Sequence, residues 1–288
     1  MEVEQARSRE LIVDSIGVIG RGIVGSAVVR GWLEHASEIR VHDVDKRKST
    51  HSIYETLKCS WTFLCLPTPF DPSLGTYDLS AIGSVFSHDE FRGNNSRVVL
   101  RSTVTPGTTD MLAREYGVPQ LLHSCEYLTA RAAFSDFQCP AQMPIGYVDS
   151  EESQQAAMEL EKVYLQRFPG VSAPMLPALV TEMGKIALNT VFATKLSIFN
   201  LIYDACQSLD IDYQDVLGLI LGDGRIAAAH CFVNSHGHRR GFGNSFRAGC
   251  LRKDSAAFGG FLKARGLGLP AELVDAIHEY NDLIANQE

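Results

Sequence analysis

The sequence predicts an α/β fold: a Rossmann-type, doubly wound parallel sheet followed by a helical domain with a long central helix. Three observations carry this. Short apolar, β-branched runs alternate with stretches of helical length through the first half of the chain. The run IGVIGRGIVG places three glycines at the first strand-to-helix junction. Beyond about residue 170 the strand-like runs stop and apolar residues recur at three- and four-residue spacing.

In chain order the predicted strands are 11–19 (LIVDSIGVI), 38–43 (EIRVHD), 61–66 (WTFLCL), 97–102 (RVVLRS), 119–123 (PQLLH) and 143–148 (MPIGYV). Helical stretches at 23–35, 78–91 and 107–116 separate several of them. The second half reads as helices over 176–208, 212–221, 250–265 and 270–285. The segment 222–249, rich in Gly, His, Arg and Asn, reads as a loop. The expected domains are therefore 1–175 and 176–288.

Composition narrows the function classes. With 288 residues, 45% hydrophobic and 21% charged, the chain can build its own cores. A net charge of -8 argues against general nucleic-acid binding. Seven cysteines, an odd number with no C-x-x-C pair, argue against a disulfide framework or a metal site and for a reducing cytoplasm. The N-terminal MEVEQARSRE lacks the apolar core of a signal peptide. The apolar stretch 186–205 is interrupted by Asn189, Lys195, Asn200 and Asp204, so a buried helix is expected there and no membrane partner.

The glycine run spells Gly20-x-Gly22-x-x-Gly25, with Ile23 and Val24 inside it. Gly20 would allow the tight turn, Gly22 the close approach of a pyrophosphate, and Gly25 the packing of helix on strand. Asp43 ends the next strand, 18 residues after Gly25, where a carboxylate can accept both hydroxyls of a ribose. The expected cofactor is NAD; Lys46 and Arg47 leave NADP open. Pro67 and Thr68 follow one strand, Thr103 another and Glu126 a third, the position at which such folds bind ligands.

Lys185 and Asn189 stand four apart on a predicted helix and share a face, where together they can hold a developing alkoxide. Glu182, one turn earlier, would orient the lysine or face solvent. Cys250 and Asp254 are also four apart. A helix starting at Cys250 would favour its thiolate. Spacing alone leaves Cys250 open between core thiol and nucleophile. Cys59, Cys65, Cys139, Cys206 and Cys231 read as small core residues, and packing is also favoured for Cys125.

Seven stretches, in order from about Ile16 to Asn281, resemble the UDP-glucose/GDP-mannose 6-dehydrogenase family. GVIGRGIVG is similar to its cofactor loop, LCLPTP to its V-P-T-P segment and RSTVTPGTT to K-S-T-V-P-x-G-T. CEYLTARAAFSDF is similar to P-E-F-L-x-E-G-x-A-x-x-D-F, and TEMGKIALNTVFATKLSIFN to A-E-L-x-K-x-x-x-N-x-F-x-A-x-K-I-x-F-x-N. GDGRI is similar to the segment containing D-P-R-I, and GCLRKD to G-x-C-x-P-K-D.

The resemblance implies oxidation of a primary alcohol to a carboxylate in two NAD-dependent hydride transfers. It implies Cys250 as nucleophile on the aldehyde, Lys185 and Asn189 as oxyanion stabilisers and Asp254 as a proton-transfer partner through water. Thr103 would position water and Glu126 would promote thioester hydrolysis. Glu126, Tyr127, Leu128, Lys185, Asn189, Arg225 and Arg247 would contact a small-molecule substrate, one carrying a phosphate or nucleotide. It also implies a homodimer built on the long helix, with Arg225 reaching the neighbouring subunit's substrate, so 176–288 is expected to serve substrate binding and dimerisation.

The sequence departs from the family pattern at several positions. Ala130 and Arg131 replace a Glu-Gly pair, Arg247 and Ala248 replace two glycines before the cysteine, and Arg252 replaces a proline. The family's further nucleotide-binding domain is expected from a separate chain, or the substrate is expected to differ. His236, His238, Arg239, Arg240, Arg247 and Arg252 offer an alternative anion site, or a solvated basic loop. Two other functions remain open: a two-electron dehydrogenase of the β-hydroxyacid type, which has no need of the Cys250–Lys253–Asp254 run, and a non-catalytic NAD-binding subunit.

Overall fold

The computed structural model describes residues 12–88, 91, 97–129, 132–233 and 249–286, with side chains to 284. The expectations on Ala130, Arg131, His236, His238, Arg239, Arg240, Arg247 and Ala248 lie outside the described residues. The chain divides into two compact units, Met1–Thr68 with Leu79–Met183, and Pro69–Asp78 with Gly184–Glu288.

Apolar, β-branched runs build the first unit around a sheet. Its strands are β1 (Val13–Ile19), β2 (Ala36–His42), β3 (Trp61–Leu64), β6 (Arg97–Leu100), β7 (Leu122–His123), β8 (Ile145–Tyr147) and β9 (Met175–Pro177), in the order β2-β1-β3-β6-β7-β8-β9. Neighbours pair in parallel, except β7 with β8. The two-residue period of a strand splits its side chains between faces. Phe63 and Val99 join a core with α1 (Ile23–Trp32) and α6 (Glu151–Arg167). Leu64, Val98 and Leu100 join another with α3 (Ser80–Phe86) and α4 (Thr108–Tyr116). Two buried faces define the doubly wound arrangement. Two short helices, α2 (Ile53–Leu57) and α5 (Ala133–Gln138), complete this unit.

The sequence gives no expectation of α2, α5, α6, β9 or the hairpin of β4 (Phe70–Asp71) and β5 (Thr76–Tyr77). Strand β7 covers only the end of the expected 119–123, because Val118 to Gln120 form a turn closed by Leu121 N–H donating to the Val118 carbonyl. Helix α6 starts where the Ser150 side chain accepts from Ser153 N–H, with Glu151 and Glu152 in the first turn.

The second unit contains the hairpin of β4 (Phe70–Asp71) and β5 (Thr76–Tyr77), the body of α7 (Ala178–Ser208), α8 (Tyr213–Gly222), α9 (Cys250–Ala264) and α10 (Gly268–Asn286). Phe199, Cys206, Tyr213, Leu217 and Cys231 form one core; Leu262, Ala271 and Val274 form another between α9 and α10. The division between units falls within α7, after Met183. By length and composition alone α7 is long and apolar enough to cross a membrane, with mean hydropathy 1.3. Core helices of soluble proteins can be as long and apolar, and 44% of that window is buried within the protein.

Glu182, in the first turns of α7, neither orients a lysine nor faces solvent; it caps α4. One carboxylate oxygen accepts from Gly107 N–H at 2.6 Å, the other from Thr109 N–H at 2.7 Å and the Thr109 hydroxyl at 2.6 Å. An unpaired helix N-terminus thereby gains a buried partner. Burial pushes the Glu182 carboxyl up to about 7, against the pull of those donors. A folded value above the unfolded 4.5 gives stabilisation that is complete below about pH 4.5 and lost as pH rises through about 7. The amount is on the order of 3 kcal/mol. Thermal melting between about pH 5 and about pH 8 should show stability falling with pH, and Glu182→Gln, which cannot ionise, should flatten that slope.

Candidate active site

In the first unit, parallel strands β1, β3, β6 and β7 end on one edge of the sheet, and the loops that follow carry the expected residues. Hydrogen bonds tie these loops together. The Ser102 hydroxyl donates to the Leu66 carbonyl at 2.7 Å and accepts from Leu66 N–H at 3.1 Å, and the Thr68 hydroxyl donates to the Thr103 carbonyl at 2.7 Å. Thr68 and Thr103 are buried, while Pro67 is exposed.

The glycine loop has the geometry of a phosphate cradle. Gly20 takes φ +90, and a Cβ there would lie 2.5 Å from the Cys65 carbonyl oxygen. A Cβ on Gly25 would lie 1.9 Å from the Gly20 carbonyl oxygen. At Gly22 a Cβ would meet no protein atom within 4 Å. Gly22 is the N-cap of α1, with no side chain capping the helix, and Ile23 beside it is 59% exposed. The open space at a bare helix N-terminus fits an anionic phosphate. Val24 is half-buried on the first turn. Asp43 accepts from Arg21 N–H at 2.6 Å and Asp45 N–H at 2.8 Å, which orients its carboxylate at the end of β2 beside the glycine loop.

After β7, the half-buried Glu126 accepts from Leu128 N–H. Burial, then the neighbouring Cys125, holds the Tyr127 phenol above its usual range. Arg101, where the resembled family has lysine, is buried and donates to the Ser124 hydroxyl at 3.3 Å.

In the second unit, Lys185 and Asn189 lie one turn apart on α7, both buried. Helix α9 begins at Cys250, with Gly249 as an N-cap that offers no side chain, and Cys250 is exposed. Asp254, one turn on, is fully buried. Its Oδ2 accepts from Asn189 Nδ2 at 2.5 Å. Its Oδ1 accepts from Lys253 Nζ at 2.5 Å and the Tyr77 hydroxyl at 2.6 Å. A carboxylate only accepts, so Asn189 must present its N–H end to Asp254.

Arg252, a candidate anion ligand, and Arg225, an expected substrate contact, both have acid partners in the chain. Arg252 forms a two-bonded pair with Asp282 of α10. Arg225 pairs with Asp223 at 2.5 and 2.9 Å. Cys139, expected in a core, is exposed. The sequence gives no expectation of Tyr77. The available signal is the Pro72-Ser73-Leu74-Gly75 turn between two aromatic-containing pairs, which marks a hairpin. Among the described residues no group of three or more His, Cys, Asp or Glu can hold a metal ion.

Residues 47–167 match the NAD binding domain of the UDP-glucose/GDP-mannose dehydrogenase family, and residues 180–283 match its central domain. The glycine loop precedes the first matched span. A UDP-glucose 6-dehydrogenase of Haloferax volcanii is 28% identical over 252 residues, covering 83% of this chain and 56% of that protein. A GDP-mannose 6-dehydrogenase of Pseudomonas putida is 26% identical over 275 residues, covering 90% of this chain and 55% of that protein. The chain thus spans little more than half the length of these relatives. A UDP-glucose dehydrogenase structure from the hyperthermophilic archaeon Pyrobaculum islandicum shares the fold, with a TM-score of 0.77 at 23% identity over 96% of this chain and 69% of that one. The two matched spans, in the family's domain order, place the chain in the UDP-glucose/GDP-mannose dehydrogenase family, with NAD as the cofactor of its first matched domain.

Proposed function

We propose that the chain is an NAD-dependent oxidoreductase that converts a primary alcohol to a carboxylate through an aldehyde and a Cys250 thioester. The observation that carries this is Asp254 holding the Asn189 amide one turn from a cysteine that starts a helix. The substrate class is a sugar, nucleoside or related small molecule bearing a phosphate or nucleotide; the relatives named above are dehydrogenases of UDP-glucose and GDP-mannose. The first part of the chain, about 1–175, would bind the cofactor, and 176–288 would carry covalent chemistry and dimerisation. Its proposed place is the cytoplasm.

Gly20, Gly22, Ile23, Val24, Gly25, Asp43, Pro67, Thr68 and Thr103 would hold the cofactor. Bound NAD would take up one hydride in each of the two oxidations. Cys250, at the positive end of α9, would act as thiolate and add to the aldehyde carbon. Lys185 and Asn189 would hold the oxyanion at each stage by charge and hydrogen bond. Loss of the second hydride leaves a thioester, which water cleaves to carboxylate and free thiol, with Thr103 positioning the water and Glu126 accepting its proton. Tyr127 and Leu128 would line the substrate side of that loop. Asp254, with three protein donors on its oxygens, would orient Asn189, and the remaining lone pair of Oδ2 would accept the water through which it assists proton transfer. Arg225, and Arg247 outside the described residues, would contact the substrate, Arg225 that of a neighbouring subunit.

The dimer is supported by one face of α7. Gly184, Ala187, Val191, Thr194, Ile198, Leu201 and Ala205 repeat at three- and four-residue spacing, and Val191, Ile198 and Leu201 are 59%, 48% and 53% exposed. Small and apolar residues in that rhythm suit a second helix of the same kind.

The stoichiometry of NADH per substrate consumed tests the reaction. Two NADH with an acid product are expected, and Cys250→Ser should lose the acid; one NADH with an aldehyde or ketone as final product would favour the two-electron alternative. Gly22→Ala tests the cofactor loop. It should leave the melting temperature within about 2 °C and weaken NAD binding about tenfold or more. Gly25→Ala should instead destabilise the fold itself, by about 1–3 kcal/mol. For the dimer, Ile198→Glu should shift the mass measured by light scattering from dimer to monomer.

A further inference from the structure

We propose that Tyr77, on the β4–β5 hairpin, is a positioning residue that fixes the orientation of Asn189 through Asp254. The inference deepens the oxidoreductase reading and rests on it for its catalytic consequence. Tyr77 is 2% exposed, and its hydroxyl donates to Asp254 Oδ1 at 2.6 Å. Lys253 Nζ reaches the same oxygen at 2.5 Å and sits 4.6 Å from the centroid of the Tyr77 ring. The other oxygen, Oδ2, is left for Asn189 Nδ2 at 2.5 Å. These four residues come from the hairpin, α7 and α9, all within the second unit.

The two donors on Oδ1 do different work. Lys253 compensates the charge of a buried carboxylate. Tyr77 supplies direction. A carboxylate turns about its last side-chain bond with a broad, two-fold preference, so one cation alone leaves its plane loosely set. A second, rigid donor on the same oxygen fixes that plane and aims Oδ2 at Asn189. The amide of Asn189 is then locked with one N–H on Asp254 and its remaining N–H and carbonyl facing elsewhere. A flipped amide would set carbonyl against carboxylate. Burial, then Asp254, then Cys250, holds the Tyr77 phenol well above its usual range, so it stays a donor. Cys250 begins the helix that carries Lys253 and Asp254, one turn before the cluster.

The hairpin is seated closely enough for this role. The carbonyl oxygen of Gly75 lies 1.8 Å from where a Cβ on Gly260 would sit, so only glycine on α9 admits the hairpin at this depth. Tyr77 therefore reaches Asp254 from an element docked on the helix that begins with Cys250.

The test is Tyr77→Phe, which keeps the ring beneath Lys253 and removes the hydroxyl. Relative to the unsubstituted enzyme, kcat should fall about tenfold, with KM for NAD and alcohol within about twofold. In an Asp254→Asn background the same change should produce no further fall. Hydrogen exchange of the Asn189 side-chain amide, followed by NMR without turnover, should speed up about tenfold while the α7 backbone amides stay as they were. An unchanged exchange rate, or an equal fall in kcat in both backgrounds, would overturn the positioning role. Should the unsubstituted protein oxidise no alcohol, the oxidoreductase reading fails, and the exchange measurement still decides whether Tyr77 fixes Asn189.

Discussion

The buried carboxylate of Asp254 is the constraint around which the second unit is organised. An ionised group with no solvent contact is costly by several kcal/mol unless charge and hydrogen bonds replace its water. Here the replacements come from residues 77, 189 and 253, so a hairpin, the long helix and the helix bearing the cysteine must converge on it. Loss of a single donor leaves charge unmet in an apolar surround, which makes the arrangement closer to all-or-none than a set of surface contacts would be. The geometry that stabilises Asp254 is also the geometry that aims Asn189 and sets the first turn of α9.

A comparable constraint acts in the first unit. Glu182 binds the N-terminus of α4 and thereby joins the start of α7 to the loop after β6. That loop carries Thr103, whose carbonyl accepts from Thr68 in the loop after β3. One buried carboxylate therefore fixes a helix end, and through it two of the loops that carry candidate ligand residues. In both units an acid placed on a helix ties neighbouring elements together through buried hydrogen bonds.

What could be read from sequence follows from how local each signal is. Strands β1, β3 and β6 are legible because buried parallel strands are nearly continuous apolar runs. The shared face of Lys185 and Asn189 and the helix start at Cys250 are legible because helix geometry alone fixes them. Helix α6 goes unseen because its sequence EESQQAAMELEKVYLQR is largely polar, although Ser150 with two following acids marks its start. The β4–β5 hairpin goes unseen because strands of two residues show no period. Glu182 and Tyr77 act on partners 73 to 75 and 177 residues away, and no local pattern reports such pairings. The pairing of Arg252 with Asp282 goes unread for the same reason: the partner is 30 residues on.

Arg252 also bears on how the cysteine turn is held. The resembled family carries proline at this position, the third residue of α9. Proline costs no hydrogen bond there, since the first N–H groups of a helix lack internal acceptors, and it stiffens the turn by fixing φ. Arginine surrenders that stiffness and instead ties α9 to α10 through Asp282. The pair is partly exposed, with side chains 33% and 44% accessible, so it contributes about 1 kcal/mol or less. A weak tether replaces backbone rigidity, and more of the burden of holding Cys250 falls on the next turn, where Asp254 is gripped from three directions. The turn is fixed from beneath, by a buried network, more than from its own backbone.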